Sequence, residues 1–265
     1  MELKTKIINC KNQFYDYVTE PKRVKLTMIA GLISLILFVA IAVLIAHFYD
    51  PATVKDGYNI FIHYISDLGS VRYTSVPVLL NILWMSEAIL FTPLVFYLYK
   101  KIHVCYKDEA DSRVSKTLKW LLINCGFTFL VIGIIGWFWV GFFSEDEGRL
   151  LAPYGFQILG QDLHMIFSIV VFGGMVVAGV FIGIFFILYP KTVLKIIDVK
   201  LPWILLVILG LEMVIWPPLH AILFIISNGQ LPFHEWFMFF ALLAWLYPIG
   251  YGTLQMLKKD LAERA

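Results

Sequence analysis

Charged residues are scarce in this chain of 265 residues, where Asp, Glu, Lys and Arg together make up 15% of the sequence. Hydrophobic residues make up 60% and aromatic residues 16%. An ordinary soluble domain carries more charge, about 25%. The shortage of charge therefore excludes that class and predicts a chain whose solvent is the lipid bilayer.

Sequence motifs of several common enzyme classes are absent as well. The chain has no glycine-rich phosphate loop, no G-x-S-x-G nucleophile elbow and no dinucleotide-binding fingerprint. It also lacks the H-E-x-x-H and H-x-x-x-H spacings that place two zinc ligands on one helix. Its basic residues are explained by membrane topology and anionic lipid, so we expect membrane lipids as partners and no nucleic acid.

Six apolar runs are long enough to cross a hydrocarbon core of ~30 Å, which takes about 20 helical residues. We therefore predict an all-α, polytopic membrane protein with six transmembrane helices in a single domain over residues 1–265. Residues 1–25 precede the first run, which is too long for a signal peptide, so we expect it to stay as a membrane anchor. The predicted spans are Leu26–Phe48, Val76–Tyr99, Leu118–Phe143, Leu163–Tyr189, Trp203–Ile226 and Phe233–Leu257.

Basic residues concentrate on one side of these spans. Of the 21 Lys and Arg residues, all but Lys55, Arg72 and Arg149 lie in the N-terminal segment, at the loops after the second and fourth spans, or in the C-terminal tail. Cytoplasmic loops carry the excess of Lys and Arg in membrane proteins. The pattern predicts a multi-pass protein of the cytoplasmic (plasma) membrane with both termini in the cytoplasm.

Cysteine is rare, with three residues in the chain. Cys10 and Cys105 fall in segments predicted to be cytoplasmic, and Cys125 lies within the third apolar run. Because no pair lies on the extracytoplasmic side, we expect no structural disulfide.

Glycine clusters in the fourth span, at Gly173, Gly174, Gly179 and Gly183. Gly179 and Gly183 form a G-x-x-x-G pattern, which permits close contact between membrane helices. We predict that these glycines serve packing within the chain rather than a dimer interface.

The segment Tyr58–Tyr73, YNIFIHYISDLGSVRY, follows the first span and is rich in polar residues. It carries His63, Ser66, Asp67 and Gly69 within seven residues. If this segment is helical, His63 and Asp67 lie one turn apart on one face with Ser66 beside them. It is the strongest candidate for a functional segment.

Polar groups from four other spans reach the same membrane face. Ser144 and Asp146 follow the third span, Ser168 lies in the fourth, and Glu235 opens the sixth. Ionisable groups are expensive in hydrocarbon, so their convergence predicts a polar pocket on the extracytoplasmic side. The residues assigned to this pocket are His63, Ser66, Asp67, Gly69, Asp146, Asp162, His164, His220 and His234.

Two interpretations of this pocket concern its immediate chemistry. In the first, the polar residues cap helix ends and meet interfacial water, as Asp162 does if it caps the fourth span. In the second, imidazoles and a carboxylate hold a catalytic Zn²⁺ that activates water, with Asp67, His164 and His220 as the preferred ligands. The wider set of metal-ligand candidates is His63, Asp67, Asp162, His164, His220 and His234.

A third interpretation is ion or proton coupling. Glu87 and Glu212 lie about 18–21 Å from the outer ends of their helices at ~1.5 Å per residue, close to mid-membrane. Glu212, Trp216 and His220 recur at helical spacing, so a relay from His220 to Glu212 is one hypothesis. The alternative is that both carboxyls hydrogen-bond to neighbouring helices.

The HYISDLG segment at His63–Gly69 resembles the I-S-D-x-G signature after the first span in a large group of six-helix membrane proteins. The chain is most similar to the prokaryotic domain-of-unknown-function family nine-nine-eight, and distantly similar to the Frag/DRAM/Sfk group. The layout agrees in its six spans, in a G-x-F-x-x-D-like end to the third span, and in a histidine that opens the fourth. The matching positions are Gly141, Phe143, Asp146 and His164.

This resemblance implies a shared site that includes Ser66, Asp67, Gly69, Asp146 and His164. The eukaryotic relatives are associated with lipid remodelling of GPI anchors, with lipid asymmetry and with autophagy. The chain has Leu68 where the DRAM-like proteins often have Thr. A rival resemblance, to transmembrane hydrolases such as alkaline ceramidases, implies a Ser, Asp and three-His zinc site, but the paired histidine motif of their last helix is missing here.

The function predicted from these observations is recognition or processing of a lipid or lipid-linked head group at the outer leaflet. In this hypothesis Asp67 and His164 bind or polarise the head group, His63 and Ser66 support them, and His220 lies deeper in the membrane. The alternatives are a metal-dependent transmembrane hydrolase, a proton-coupled small-solute transporter and a non-catalytic membrane scaffold. The sequence leaves open whether the protein is an enzyme.

Overall fold

A backbone inside lipid has no water to bond to, so a single apolar segment must satisfy its N–H and C=O groups as a helix. In a computed structural model of the protein, six helices are long and apolar enough to cross a membrane. The prediction of an all-α, six-span membrane protein is thereby confirmed. The structure describes residues 12–49, 57–103, 112–158, 160–197, 201–227 and 230–264. Cys10, Cys105 and Lys55 lie outside these residues.

The helices that could span the membrane are separated by short elements at both ends of the bundle. The spanning helices are α1 (Pro21–Phe48), α2 (Pro77–Ile102), α3 (Arg113–Phe142), α5 (Leu163–Leu188), α7 (Trp203–Ile226) and α8 (Phe233–Ala262). The short helices are α4 (Glu145–Leu151) and α6 (Pro190–Ile197), with 3-10 helices at Ser66–Gly69 and Ala152–Tyr154. Two short strands, β1 (Gln157–Ile158) and β2 (Gln161–Asp162), pair antiparallel.

Local sequence explains where several of these helices begin. Pro21 and Pro77 occupy the first turns of α1 and α2, where proline lacks an N–H that would be unpaired anyway. Ser112 accepts a hydrogen bond from the N–H of Ser115 at the start of α3, at 3.2 Å. Asp162 accepts one from the N–H of Met165 at 2.9 Å, so it caps α5 as predicted.

The spanning helices form a ring in which each packs against the next in sequence. α1 contacts α2, α2 contacts α3, α3 contacts α5, α5 contacts α7 and α7 contacts α8, and α8 returns to α1. The α8–α1 contact is the least extensive of these six. A ring of six helices leaves space at its centre, and that space positions the candidate site.

Glycine lets neighbouring helices of this ring approach closely. A Cβ atom on Gly174 of α5 would lie 2.7 Å from the backbone nitrogen of Gly133 on α3. On the other side of α5, a Cβ atom on Gly210 of α7 would lie 2.6 Å from the carbonyl oxygen of Gly183. Gly174 and Gly183 therefore serve packing within the chain, as predicted, whereas a Cβ atom on Gly173 would meet nothing within 4 Å.

Candidate functional site

The segment that carries the HYISDLG sequence is not a regular α-helix. Residues 60–62 form a turn, and a 3-10 helix follows at Ser66–Gly69. Gly69 packs so closely on α2 that a Cβ atom there would lie 2.5 Å from the side-chain oxygen of Asn81. His63 and Asp67 therefore do not lie on one face of a regular α-helix, which was expected only if the whole segment were helical.

Asp67 is buried within its own turn. Its side chain is 3% exposed, and its Oδ2 accepts a hydrogen bond from the N–H of Tyr64 at 2.9 Å. Burial, followed by the negative charge of Glu145, raises the pKa of Asp67 from 3.8 to about 7, while the hydrogen bond from Tyr64 works against this rise. Asp67 thus stabilises the turn and is ionised only in part at neutral pH.

Two residues at the start of α8 anchor the same segment. Glu235 is 6% exposed, and its Oε2 accepts a hydrogen bond from the backbone N–H of Ile65 at 3.0 Å. The indole Nε1 of Trp236 donates to the carbonyl oxygen of His63 at 3.0 Å. Sequence reasoning counted Glu235 among the outer polar groups but did not assign it to the site, because no local pattern links it to a segment 170 positions earlier.

Asp146 on α4 holds the far end of this segment. Its Oδ1 accepts a hydrogen bond from the hydroxyl of Ser70 at 2.7 Å, and its Oδ2 accepts one from the N–H of Val71 at 2.8 Å. Carboxylates from three places in the chain thus bind the backbone of residues 64–71. This arrangement makes Asp146 a residue that positions the segment.

His63 faces a different environment from Asp67. Its Nδ1 accepts a hydrogen bond from the N–H of Asn59 at 2.9 Å, and its ring stacks on Tyr58 with centroids 5.2 Å apart. Burial lowers the pKa of His63. These contacts give His63 a role in folding the loop.

His164 at the start of α5 has one free ring nitrogen. Its Nδ1 lies 2.8 Å from the carbonyl oxygen of Phe143. A carbonyl only accepts, so Nδ1 carries the proton, and in the neutral ring Nε2 is a hydrogen-bond acceptor. Nε2 is buried and has no hydrogen-bond partner among the described residues.

His220 and His234 form a pair at the outer ends of α7 and α8. Their Nδ1 atoms lie 3.1 Å apart, so one ring donates and the other accepts. His220 also stacks on Phe237, with ring centroids 4.8 Å apart. α7 continues through Pro217 and Pro218 to reach this pair.

The two intramembrane carboxyls lie apart from these groups in the structure. Glu87 is fully buried, and its Oε1 accepts a hydrogen bond from the hydroxyl of Ser34 on α1. Its Oε2 has no partner within the part of the chain that the structure describes, and the same holds for both carboxyl oxygens of Glu212. The Ser34 contact matches the alternative in which Glu87 bonds a neighbouring helix.

The proposed zinc ligands are not gathered into one site. In the described ranges, no group of three or more His, Cys, Asp or Glu side chains has the geometry to hold a metal ion. Asp67 bonds within its own turn, His164 bonds Phe143, and His220 pairs with His234. Because each proposed ligand bonds to a different partner, the geometry does not support the metal hypothesis.

A cavity of about 50 Å³ lies beneath the 3-10 helix. Its polar lining consists of Ser66, His164, Ser168 and Glu235. His164 and Ser168 are one helical turn apart on α5, so they present one face to this space. The structure therefore places Ser66, His164, Ser168 and Glu235 around one cavity.

A second cavity of about 110 Å³ adjoins the first on the side toward the other end of the bundle. The two spaces share the side chains of Trp137, Met175, Phe239 and Leu242. Along α8 the lining of the second cavity runs from Phe239 to Met256, a distance of ~26 Å at the helical rise of ~1.5 Å per residue. Its lining is almost entirely apolar, and Val193, Ile196 and Ile197 of α6 line its far end.

These features define a six-helix integral membrane protein whose helix ring encloses two adjoining cavities, one apolar and a smaller one with polar groups in its lining. No family model, no curated protein and no solved structure matches the chain. The resemblance carried by HYISDLG and the span layout stays a prediction.

Proposed function

We propose that the protein binds an amphiphilic molecule, a lipid or lipid-linked compound, inside its helix ring. The polar group lies against Ser66, His164, Ser168 and Glu235, and the apolar chain extends into the central cavity. One observation carries this proposal: the cavity with polar groups and the apolar cavity adjoin at four shared lining side chains, so one amphiphilic molecule can contact both.

The central cavity suits an apolar group by its chemistry. Apolar cavities of about 150 Å³ stay dry and accept apolar ligands such as benzene, and the volume of about 110 Å³ is of that order. The lining residues along α8 extend over ~26 Å, close to the ~30 Å thickness of the hydrocarbon core. Lipid tails are already in an apolar solvent, so chain burial adds little affinity, and the polar end must supply the selectivity.

His164 is the residue best placed to recognise the polar group. The bond to Phe143 fixes the ring orientation and leaves Nε2 as an acceptor within a buried space. A buried acceptor without a partner costs about 1–3 kcal/mol, which a ligand donor would recover. Asp67 contributes indirectly, because it holds the turn that carries Ser66.

From the charge distribution of the sequence, we propose that this polar end faces the extracytoplasmic side of the plasma membrane. The ligand would then come from the outer leaflet, with its polar group close to the membrane surface. We propose that the ligand enters between α8 and α1, whose contact is the least extensive in the ring.

The proposal is tested by analysis of the lipids that remain with the purified protein. Leu242→Trp fills the junction between the two cavities, and Ile222→Trp places the same side chain on an exposed face of α7 as a control. We expect mass spectrometry to find a retained amphiphile in the wild type and in Ile222→Trp, and at least a tenfold loss in Leu242→Trp. Equal retention in both variants would contradict binding in the cavity.

A second candidate function, proton-coupled transport, is favoured by Glu87. Its carboxyl is fully buried, and its Oε2 has no partner among the described residues, which for an intramembrane ionisable group points to function. Transport of this kind requires a titratable group, so Glu87→Gln would abolish it. Lipid retention in Glu87→Gln would stay at the wild-type level if the cavity acts as a binding site alone.

A further inference from the structure

The polar end of the cavity is built from hydrogen-bond acceptors and aromatic rings. The unpartnered Nε2 of His164 and the carboxyl group of Glu235 accept, and the hydroxyls of Ser66 and Ser168 can accept as well. Trp84, Trp137, Phe172 and Phe239 line the same space. These groups favour a ligand that brings N–H donors.

Three carboxyl groups lie close together around this space. The carboxyl groups of Asp67, Glu145 and Glu235 lie within electrostatic range of one another. Glu145 is paired with Arg149, whose side chain is 51% exposed, and Glu145 Oε2 is buried without a hydrogen-bond partner in the part of the chain that is described. The guanidinium group of Arg149 is therefore near three carboxyl groups and pairs with one of them.

No compensating cation comes from the cavity wall. Among the described residues that line the two cavities there is no Lys and no Arg. Arg72, the other basic residue described on this side, lies 5.4 Å from the ring of Tyr73. A phosphate head group would therefore meet carboxylates and acceptors, with like charges that cost free energy in a site of low dielectric constant.

From this arrangement we infer that the head group recognised at the polar end is a protonated amine carried on a hydrocarbon chain. The inference rests on the proposed function, because it names the ligand class of the same cavity. An ammonium group donates N–H bonds to His164 and Glu235, compensates the carboxyl charge, and is attracted to the faces of tryptophan rings. The ligand class is thus a long-chain primary amine or amino alcohol.

Three photoreactive probes with the same diazirine-bearing dodecyl chain test this inference, one each with an amine, an alcohol and a phosphate head group. The wild-type protein is reconstituted in phosphatidylcholine nanodiscs, irradiated and mapped by mass spectrometry. We expect the amine probe to label cavity residues such as Met175 at least tenfold more than the phosphate probe, with the alcohol between them. Labelling of the cavity should be lost in Leu242→Trp and kept in Ile222→Trp.

The variant Glu235→Gln tests whether the preference for the amine probe depends on the carboxyl group of Glu235. The glutamine carbonyl can still accept from the N–H of Ile65, so the loop keeps its anchor. We expect amine labelling in this variant to fall to the level of alcohol labelling measured in the same variant. The matched control is Glu147→Gln, an exposed carboxyl on α4, which should leave the amine preference unchanged.

The outcomes separate the two proposals. Cavity labelling that depends on Leu242 but is equal or stronger with the alcohol or phosphate probe would overturn the amine inference and leave the proposed function standing. Cavity labelling by none of the three probes would overturn both. An amine preference that survives Glu235→Gln intact would remove the carboxyl group as its cause.

Discussion

The carboxyl of Glu235 accepts a hydrogen bond from the backbone N–H of Ile65 at 3.0 Å, so the first turn of α8 holds a loop that lies 170 positions earlier in the chain. The carboxyl lines the polar end of the cavity at the same time. A single side chain therefore fixes the loop that carries Ser66 and supplies a carboxyl group to the site. A substitution of Glu235 can therefore affect both the anchoring of the loop and the chemistry of the site.

Removal of this carboxyl should destabilise the protein. Glu235→Ala leaves the N–H of Ile65 buried without an acceptor, which costs ~1–3 kcal/mol. We expect a lower melting temperature in detergent for Glu235→Ala and a much smaller loss for Glu235→Gln, which keeps an acceptor. Glu147→Ala, at an exposed position of α4, is the control and should melt as the wild type does. Equal losses for the Ala and Gln variants would show that the Ile65 bond contributes little.

Asp146 should control the mobility of the outer segment. Asp146→Ala removes the acceptors for Ser70 and Val71, and the local opening free energy should fall by ~1–3 kcal/mol. Trypsin cleavage after the adjacent Arg72 should then be about tenfold faster, since ~1.4 kcal/mol corresponds to a factor of ten. Glu147→Ala is again the matched control, and a cleavage rate unchanged in Asp146→Ala would argue against the anchor.

Asp67 should make the stability of the protein depend on pH. Its pKa is raised from 3.8 to about 7, chiefly by burial, so the folded chain holds this proton more tightly than the unfolded chain. The contribution is fully present below pH 3.8 and is lost as the pH rises toward 7. At ~1.4 kcal/mol per pKa unit the loss is at most about 4 kcal/mol.

The measurement is the melting temperature at pH 5 and at pH 8. We expect the wild type to be more stable at pH 5, and Asp67→Asn to show a smaller difference, because the amide still accepts from the N–H of Tyr64 but does not titrate. If Asp67→Asn has the same pH dependence as the wild type, another group is responsible.

Two adjacent glycines of α5 offer a controlled test of helix packing. A Cβ atom on Gly174 would lie 2.7 Å from the backbone of Gly133, whereas a Cβ atom on Gly173 meets nothing within 4 Å. Gly174→Ala should therefore separate α3 from α5 and cost ~1–3 kcal/mol, while Gly173→Ala should be neutral or slightly stabilising because alanine favours helix. Comparable melting temperatures for the two variants would contradict the close α3–α5 contact.

The sequence by itself determined that the chain is a membrane protein with six helices. Runs of about 20 apolar residues have no stable alternative to a helix in lipid, so composition alone decides this level of structure. Local rules also predicted the Asp162 cap and the internal role of the α5 glycines, because a cap and a close helix contact each depend on few residues. The orientation of the termini follows from Lys and Arg counts and stays a prediction.

Only the tertiary structure decided which polar groups share a space. Ser66, His164, Ser168 and Glu235 come from the outer loop, α5 and α8, and the ring of helices brings them to one cavity. The same folding separates Asp67, His164 and His220, because each finds a nearer partner in its own turn, in Phe143 or in His234. Buried polar groups take the partner that the backbone path brings within hydrogen-bond distance, and that path is set by helix packing rather than by sequence spacing.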